Sequence, residues 1–452
     1  MAAPRRDLVI LLVLFSLVAV IRVTAPSDLA TGDQPYQAAY VRDITERGAW
    51  IVQRHEDGTP ATKPPLYNWL AAIPILIAGT TNEFLLKLPS LIAGMLTLLL
   101  TWSIARQVAG DRAALFSGVL LVCSTMFSKQ IYFARTDMLL TLFVVAQIWA
   151  AVRVRPVAYW TFAALALLTK GPIGLAIPLL GLLVWWWREG RLREQSRAMY
   201  LVPGVVLSLI PLLSWFAAAL SAGGDEVWQQ LVVRETIDRF ADGSKSKEHK
   251  HLLYYVPHFF ARMAPASFFA VIAMVALRSK RDDERNRAML VAAWWFLVPF
   301  LVLSLVPSKR VDRLFPIFPA VCILAGWALD RWFSGERVRG ATTTLYVIAG
   351  VIVAAGLVVA IGYPYIVAGI LLAAAGTAML VSIRRRAATP FIAALALAML
   401  VVITVYQHRL SEPAKTELRG DTKSDRRDAE HAEGRRARLP SLRPSASSAS
   451  LR

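Results

Sequence analysis

The chain has 452 residues, of which 56% are hydrophobic, and a mean hydropathy of +0.49. Soluble domains hold about 45–50% apolar residues, so this composition excludes an ordinary water-soluble enzyme. The formal charge of +19 does not indicate nucleic acid, because the basic residues fall in short hinges between apolar runs, such as 191–197 and 278–287, the positive-inside pattern of membrane proteins.

Most apolar runs approach the ~20 residues that cross a ~30 Å hydrocarbon layer. Lipid offers the backbone no hydrogen-bond partners, so each span must be a helix. The runs are continuous rather than alternating, which excludes a transmembrane barrel. Residues 8–24 read as the first span, with Arg5 and Arg6 in the cytoplasm. Val23-Thr24-Ala25 resembles a leader cleavage site, but Pro26 follows directly and many spans come after, so the helix is expected to be retained. The first outer loop, 25–84, predicts an amphipathic helix over 34–47 and a short apolar helix over 66–78 interrupted by Pro74. Tyr67 and Trp69 suit a headgroup level, so 66–78 is expected along the interface rather than across the membrane.

That choice sets the parity of the rest. Further spans are expected over 85–104, 113–132, from 137, 157–168, 173–187, 200–220, 265–277, 288–306, 314–333, 342–361, 364–383 and 390–407. A total of about 13 places every basic hinge on one side; a crossing at 66–78 would reverse them all. The expected fold is an all-α polytopic membrane protein over residues 1–407, with outer loops at 25–84 and 221–264. The segment 408–452 is polar and nearly without aromatics, a composition that cannot bury a core and predicts disorder. Cys123 and Cys322 lie inside apolar runs and read as small buried hydrophobes, with no disulfide or zinc spacing.

Four polar groupings meet on the outer side under this topology: Asp33 with Arg42 and Lys63; Arg135-Thr136-Asp137; the 221–264 loop; and Ser308-Lys309-Arg310 with Arg313. Ionisable groups at a membrane face are costly to bury and usually mark a site or pathway. Two readings of Asp33 stand open. It could take the proton of an attacking hydroxyl, or cap the helix that starts near Gln34-Pro35. Asp137 carries the same pair of readings, with Arg135 beside it as an ion-pair partner. Lys63, Lys309, Arg310 and Arg313 suit the phosphate of a lipid carrier and would offset charge developing on a leaving phosphate; snorkelling to phospholipid headgroups is the alternative. The long outer loop offers Glu235, Arg239, His251, Tyr254 and Tyr255. His249, His251 and His258 could ligate a metal or form an interfacial aromatic–histidine cluster.

The motifs fall in a distinctive order: Asp33, then Gly48-Ala49-Trp50, then Lys63-Pro64-Pro65-Leu66-Tyr67-Asn68-Trp69. Ala134-Arg135-Thr136-Asp137-Met138-Leu139-Leu140-Thr141 opens a later span, and Leu168 to Gly174 reads LTKGPIG. Arg234-Glu235 through Arg239-Phe240, His251, Tyr254-Tyr255 and Ser308-Lys309-Arg310 with Pro316 and Pro319 follow. Over most of residues 8–330 this order resembles the GT-C glycosyltransferases that use a polyprenyl-phosphate sugar, the broad group of protein O-mannosyltransferases and the lipid A aminoarabinose transferase. The resemblance implies a GT-C fold with interfacial helices in the first outer loop. It also implies inverting sugar transfer, outside the cytoplasm, to a hydroxyl of a lipid, glycan or protein.

Asp33 is then implied as general base, Asp137 as a second acidic residue, and Lys63, Lys309, Arg310 and Arg313 as donor-phosphate ligands. Arg42, Arg135, Glu235, Arg239, His251, Tyr254 and Tyr255 are left as substrate contacts. The expected partners are a polyprenyl-phosphate-linked sugar, membrane lipids and an extracytoplasmic acceptor, with no nucleic acid. A plasma or inner membrane location follows. Gln34, Tyr36 and Thr62 stand where many relatives carry Glu, Arg and Glu; the residues specify no cofactor, and a divalent metal is left open. A transporter or flippase of lipid-linked sugars is the rival function, as is a silent relative that only binds the carrier. A transporter should show Gly/Pro-broken spans at matching places in two halves, and only the break at Lys170-Gly171-Pro172 is evident.

Overall fold

The structure, a computed structural model, describes residues 3–237, 251–279, 284–306, 309–361 and 365–407. Arg239, His249, Ser308 and the polar segment 408–452 lie outside the described residues, as does the side chain of Glu235. The described residues up to Val405 form one compact unit.

The described residues are helical throughout, apart from loops and one isolated bridge between Arg54 and Pro60. The first outer loop folds as its periodicity predicts. Helix α1 spans Ala3–Val23, α2 Gln34–Arg47 and α3 Leu66–Ala78. Gly48 closes α2 at φ 69°, in the left-handed region that only glycine enters without strain. Then follow α4 (Glu83–Ala109), α5 (Asp111–Val122), α6 (Thr125–Ile131), α7 (Thr136–Val152), α8 (Pro156–Lys170) and α9 (Ile173–Arg188). The short α10 (Leu192–Ala198) leads to α11 (Leu201–Trp228), and α12 (Tyr255–Arg262), α13 (Ala266–Ser279) and α14 (Glu284–Leu305) come next. The last helices are α15 (Phe318–Phe333), α16 (Ala341–Ile361), α17 (Ile366–Arg385) and α18 (Ala388–Gln407).

Among the described residues, seven helices have the length and apolar character to cross a membrane, and nine if each of two bent pairs counts as one span. The expected span over 113–132 is one of those pairs: α5 and α6 meet at 66°. Ser124 adopts an extended conformation and its hydroxyl accepts from the Phe127 N–H, starting a new helix within that run. The other pair joins residues 252–262 to 266–278 at 112°. The outer loop expected from residue 221 is helical at its start, since α11 runs on to Trp228 with a kink at Gly224 and continues as a π-helix over Gln229–Ile237.

At the centre, α5, α7 and α15 are buried along most of their length. Lipid does not drive helices together as water does, so close backbone approach carries much of the association. A methyl group on Gly326 would meet the Ser117 hydroxyl at 2.2 Å and the Ala113 carbonyl at 2.5 Å, which is how closely α15 lies on α5. Gly356 and Gly369 perform the same service between α16 and α17, where an added carbon would lie 2.4 and 2.2 Å from the backbone of Ala373 and Ala360. Both cysteines are free and fully buried.

The basic hinges gather at one end. Arg112, after α4, reaches Asp330 and Ser334 at the end of α15, and Arg331 bonds Glu336 at 2.9 Å and Asn286 at 3.0 Å. On α7 and α8 the opposite helix ends carry Asp137 and Lys170, and the Arg153–Arg155 turn joins the other two.

Candidate active site

At the end of the bundle away from those hinges lies a cavity of about 370 Å³. Its wall is built from the start of α2, the loop before α3, the start of α7 beside the end of α8, the turn that enters α15, and Gln230 of the π-helix.

Asp33 stands at the N-cap position of α2, but its carboxylate makes no capping bond. Instead Arg135 donates to Asp33 Oδ2 at 2.8 Å, and Arg310 donates to the same oxygen at 3.5 Å. No hydrogen bond from the described residues reaches Oδ1. The side chain is 47% exposed on the cavity wall. Asp137, one residue into α7, does not cap its helix either. Lys170 donates to its Oδ1 at 2.5 Å, and Arg135 approaches its Oδ2 at 3.4 Å. Arg135 donates a third time, to Asp312 Oδ2, at 2.8 Å. One guanidinium therefore joins three carboxylates that lie far apart in sequence. Burial works against its charge, but Asp137, Asp312 and Asp33 outweigh that and raise its pKa.

Local sequence explains these placements. Lys63 is carried to the wall by the fastening of the segment behind it. The Tyr67 hydroxyl donates to the Leu86 carbonyl at 3.1 Å, Asn68 donates to Gln53 at 3.3 Å, and the Trp69 indole donates to the Trp50 carbonyl at 2.7 Å. The Trp69 indole thus ties its own first-loop motif to the backbone of the other. Lys170 ends α8 where a cation suits the helix dipole, and Gly171 turns the chain at φ 73°. A methyl on Gly174 would lie 2.7 Å from the Ala166 backbone, and the Gly174 carbonyl accepts from Gln147 of α7 at 3.0 Å. The LTKGPIG motif therefore packs three helices so that its lysine lands on Asp137.

Arg310 and Arg313 line the cavity, and the buried Tyr255 hydroxyl donates to the Arg310 carbonyl at 3.2 Å. Tyr255 backs the site from behind; Tyr254 stacks edge-on against it, with ring centroids 5.4 Å apart. Lys309 is buried and does not line the cavity. Arg42 is exposed and pairs with Glu56 at 3.0 Å, away from the cavity wall. His251 is exposed at the start of a short turn. Cations outnumber carboxylates on the wall, five to four, a balance that suits a phosphate.

The family model of dolichyl-phosphate-mannose-protein mannosyltransferases matches residues 62–215, and that of the Alg9-like mannosyltransferase family matches 248–386. The undecaprenyl phosphate-alpha-4-amino-4-deoxy-L-arabinose arabinosyl transferase of Erwinia tasmaniensis is 26% identical over 358 residues, 75% of this chain and 63% of the relative. The chain spans 54% of the corresponding protein of an Enterobacter species, again at 26% identity over 65% of its own length, so it covers less than two thirds of these curated relatives. The crystal structure of ArnT from Cupriavidus metallidurans bound to undecaprenyl phosphate superposes with a TM-score of 0.67 at 24% identity, covering 88% of this chain and 77% of that one. The archaeal oligosaccharyltransferase AglB from Archaeoglobus fulgidus superposes at 0.55 and 13% identity, over 90% and 56%. The chain has the GT-C fold.

Within this GT-C fold, several residues that line or brace the cavity are not among the candidates the sequence singles out. Asp312 sits between two arginines and reads as a surface charge. Lys170 lies inside a quoted motif but looks like a helix end. Tyr36 and His55 pack with ring centroids 4.7 Å apart, and Asp57 faces His55 at 3.2 Å. Two backbone and side-chain bonds from Thr59 hold the Asp57 carboxyl below its ordinary pKa, aided by His55. Thr62 and Tyr36 line the cavity, and Gln34 does not. The place between Asp33, Asp137 and Asp312 is held by the Arg135 guanidinium. Among the described residues no three His, Cys, Asp or Glu side chains converge in a metal-binding group.

Proposed function

We propose that the chain transfers a sugar from a polyprenyl-phosphate carrier to a hydroxyl of an acceptor outside the cytoplasm, with inversion at the anomeric carbon. The observation that carries this reading is Asp33: a carboxylate at a helix start that does not cap the helix, held by two guanidinium groups through one oxygen, with the other oxygen left to the cavity. The acceptor oxygen attacks the anomeric carbon as Asp33 takes its proton. The bond from that carbon to the phosphate oxygen breaks, and its electron pair leaves on the phosphate. Lys63, Arg310 and Arg313 offset that charge, each within the same wall. Asp137 holds Lys170 and Arg135 in register rather than meeting the acceptor itself.

The sidedness rests on charge. The cavity lies at the end of α7 and α8 opposite the Arg153–Arg155 hinge, and hinges rich in Lys and Arg stay in the cytoplasm. The site then opens on the outer face of a plasma or inner membrane, at headgroup level. The Cupriavidus protein named above was crystallised with undecaprenyl phosphate, and that carrier class is the donor proposed for this chain.

Mass spectrometry of envelope lipids and glycoproteins from cells with and without the chain tests the reading. Loss of a sugar from a defined acceptor supports it. Unchanged glycans, together with movement of a lipid-linked sugar across chain-containing vesicles, would favour a transporter instead.

A further inference from the structure

We propose that Gln34 is a positioning residue: it holds the base, Asp33, and its partner, Arg135, in one frame. The inference rests on the transfer reading above. Gln34 is fully buried, follows Asp33 directly and does not line the cavity. Its Oε1 accepts the Ala134 N–H at 2.9 Å. That bond joins the neighbour of Asp33 to the neighbour of Arg135 across a hundred residues of chain.

The other end of the amide is anchored. Gln34 Nε2 donates to the Asp28 carbonyl at 2.7 Å, to Asp28 Oδ1 at 3.2 Å and to Thr31 Oγ1 at 3.4 Å. Asp28 is fixed in turn by Lys87 at 2.5 Å and Arg22 at 3.0 Å, and Lys87 by Glu83 at 2.5 Å. The strand of chain that leads into Arg135 is gripped at three successive residues. Arg22 donates to the Tyr132 carbonyl at 3.4 Å, Ser90 to the Phe133 carbonyl at 2.7 Å, and Gln34 accepts from Ala134. Gln34 is the only one of these three that also belongs to the helix carrying Asp33.

A side chain without an acceptor at position 34 leaves the buried Ala134 N–H unpaired and lets the two loops drift apart. A misplacement of about 1 Å can cost about a hundredfold in rate. Glutamate still accepts from Ala134, although it cannot donate to Asp28. A residue that merely supports the fold would lower stability without changing turnover per folded molecule, and its effect would be independent of Arg135.

The test is turnover of purified, monodisperse protein in vesicles with an undecaprenyl-phosphate-linked sugar. Q34A is expected to lose about tenfold to a hundredfold in turnover, and Q34E to stay within about threefold of the parent chain. In an R135K background, Q34A is expected to cost no more than about twofold further, since the contact it places is already altered. Should Q34A not fold, Q34M keeps the volume and carries the same comparison. Q34A at full turnover, Q34E as impaired as Q34A, or a full multiplicative loss in the R135K background each overturn the proposal. An inactive D33N beside a fully active Q34A sinks this inference alone. A fully active D33N sinks the transfer reading, and with no base to place the role of Gln34 falls too.

Discussion

Two charged clusters are built from the same ingredients and put to different uses. In one, Arg22, Asp28, Lys87 and Glu83 close on each other: Lys87 is fully buried and Arg22 nearly so. In the other, Arg135, Lys170 and Arg310 meet Asp33, Asp137 and Asp312 around an open cavity, with Asp33 half exposed. Both balance cations against carboxylates, so pairing alone does not distinguish a site from a brace. What distinguishes them is whether a carboxylate oxygen is left to the cavity. Burial pushes the Asp28 carboxyl up, but Lys87 and Arg22 overcome it and hold the group below its ordinary pKa, a carboxylate committed to structure.

That contrast is open to attack by substitution. Asp33→Asn should cost about 10²–10⁴ in turnover, the usual worth of a positioned base, while the unfolding temperature in detergent stays close to that of the parent chain. Lys87→Met should do the reverse. Removing one partner of a buried ion network costs about 3–5 kcal/mol, so thermal unfolding should fall sharply, while turnover per folded molecule drops far less than in Asp33→Asn. Were Lys87→Met the more damaging to chemistry, the closed cluster would be part of the site. Lys170→Met lies between: a loss of about tenfold to a hundredfold in turnover, through slackened placement of Asp137 and Arg135, measured with the same donor. Arg42→Ala gives the smallest effect. Its exposed pairs with Glu46 and Glu56 are worth about 0–1 kcal/mol, and turnover should remain within about twofold; a larger loss would return Arg42 to the substrate path.

The sequence made the scaffold legible where physics is local. The helix over 34–47 shows as amphipathic periodicity closed by Gly48, and the helix over 66–78 as an apolar run; both have these bounds in the structure. The bend between α5 and α6 was not legible, because hydropathy is blind to Ser124 turning extended inside an apolar stretch. For the cavity, residues in recognisable motifs, Asp33, Lys63, Arg135, Asp137, Arg310 and Arg313, are those the structure places on one wall. Lys309 and Arg42 carry the same charge but point elsewhere, since charge says nothing about direction. Lys170 and Asp312 escaped notice because their partners, Asp137 and Arg135, lie 33 and 177 residues away, and no spacing rule reaches so far.

The most direct measurement of the central claim is single-turnover transfer from an undecaprenyl-phosphate-linked sugar by the reconstituted chain and by Asp33→Asn, with the product's anomeric configuration read by NMR. Inverted configuration and a loss of at least about a hundredfold in the variant are predicted. Retained configuration, or a variant as fast as the parent, would contradict it.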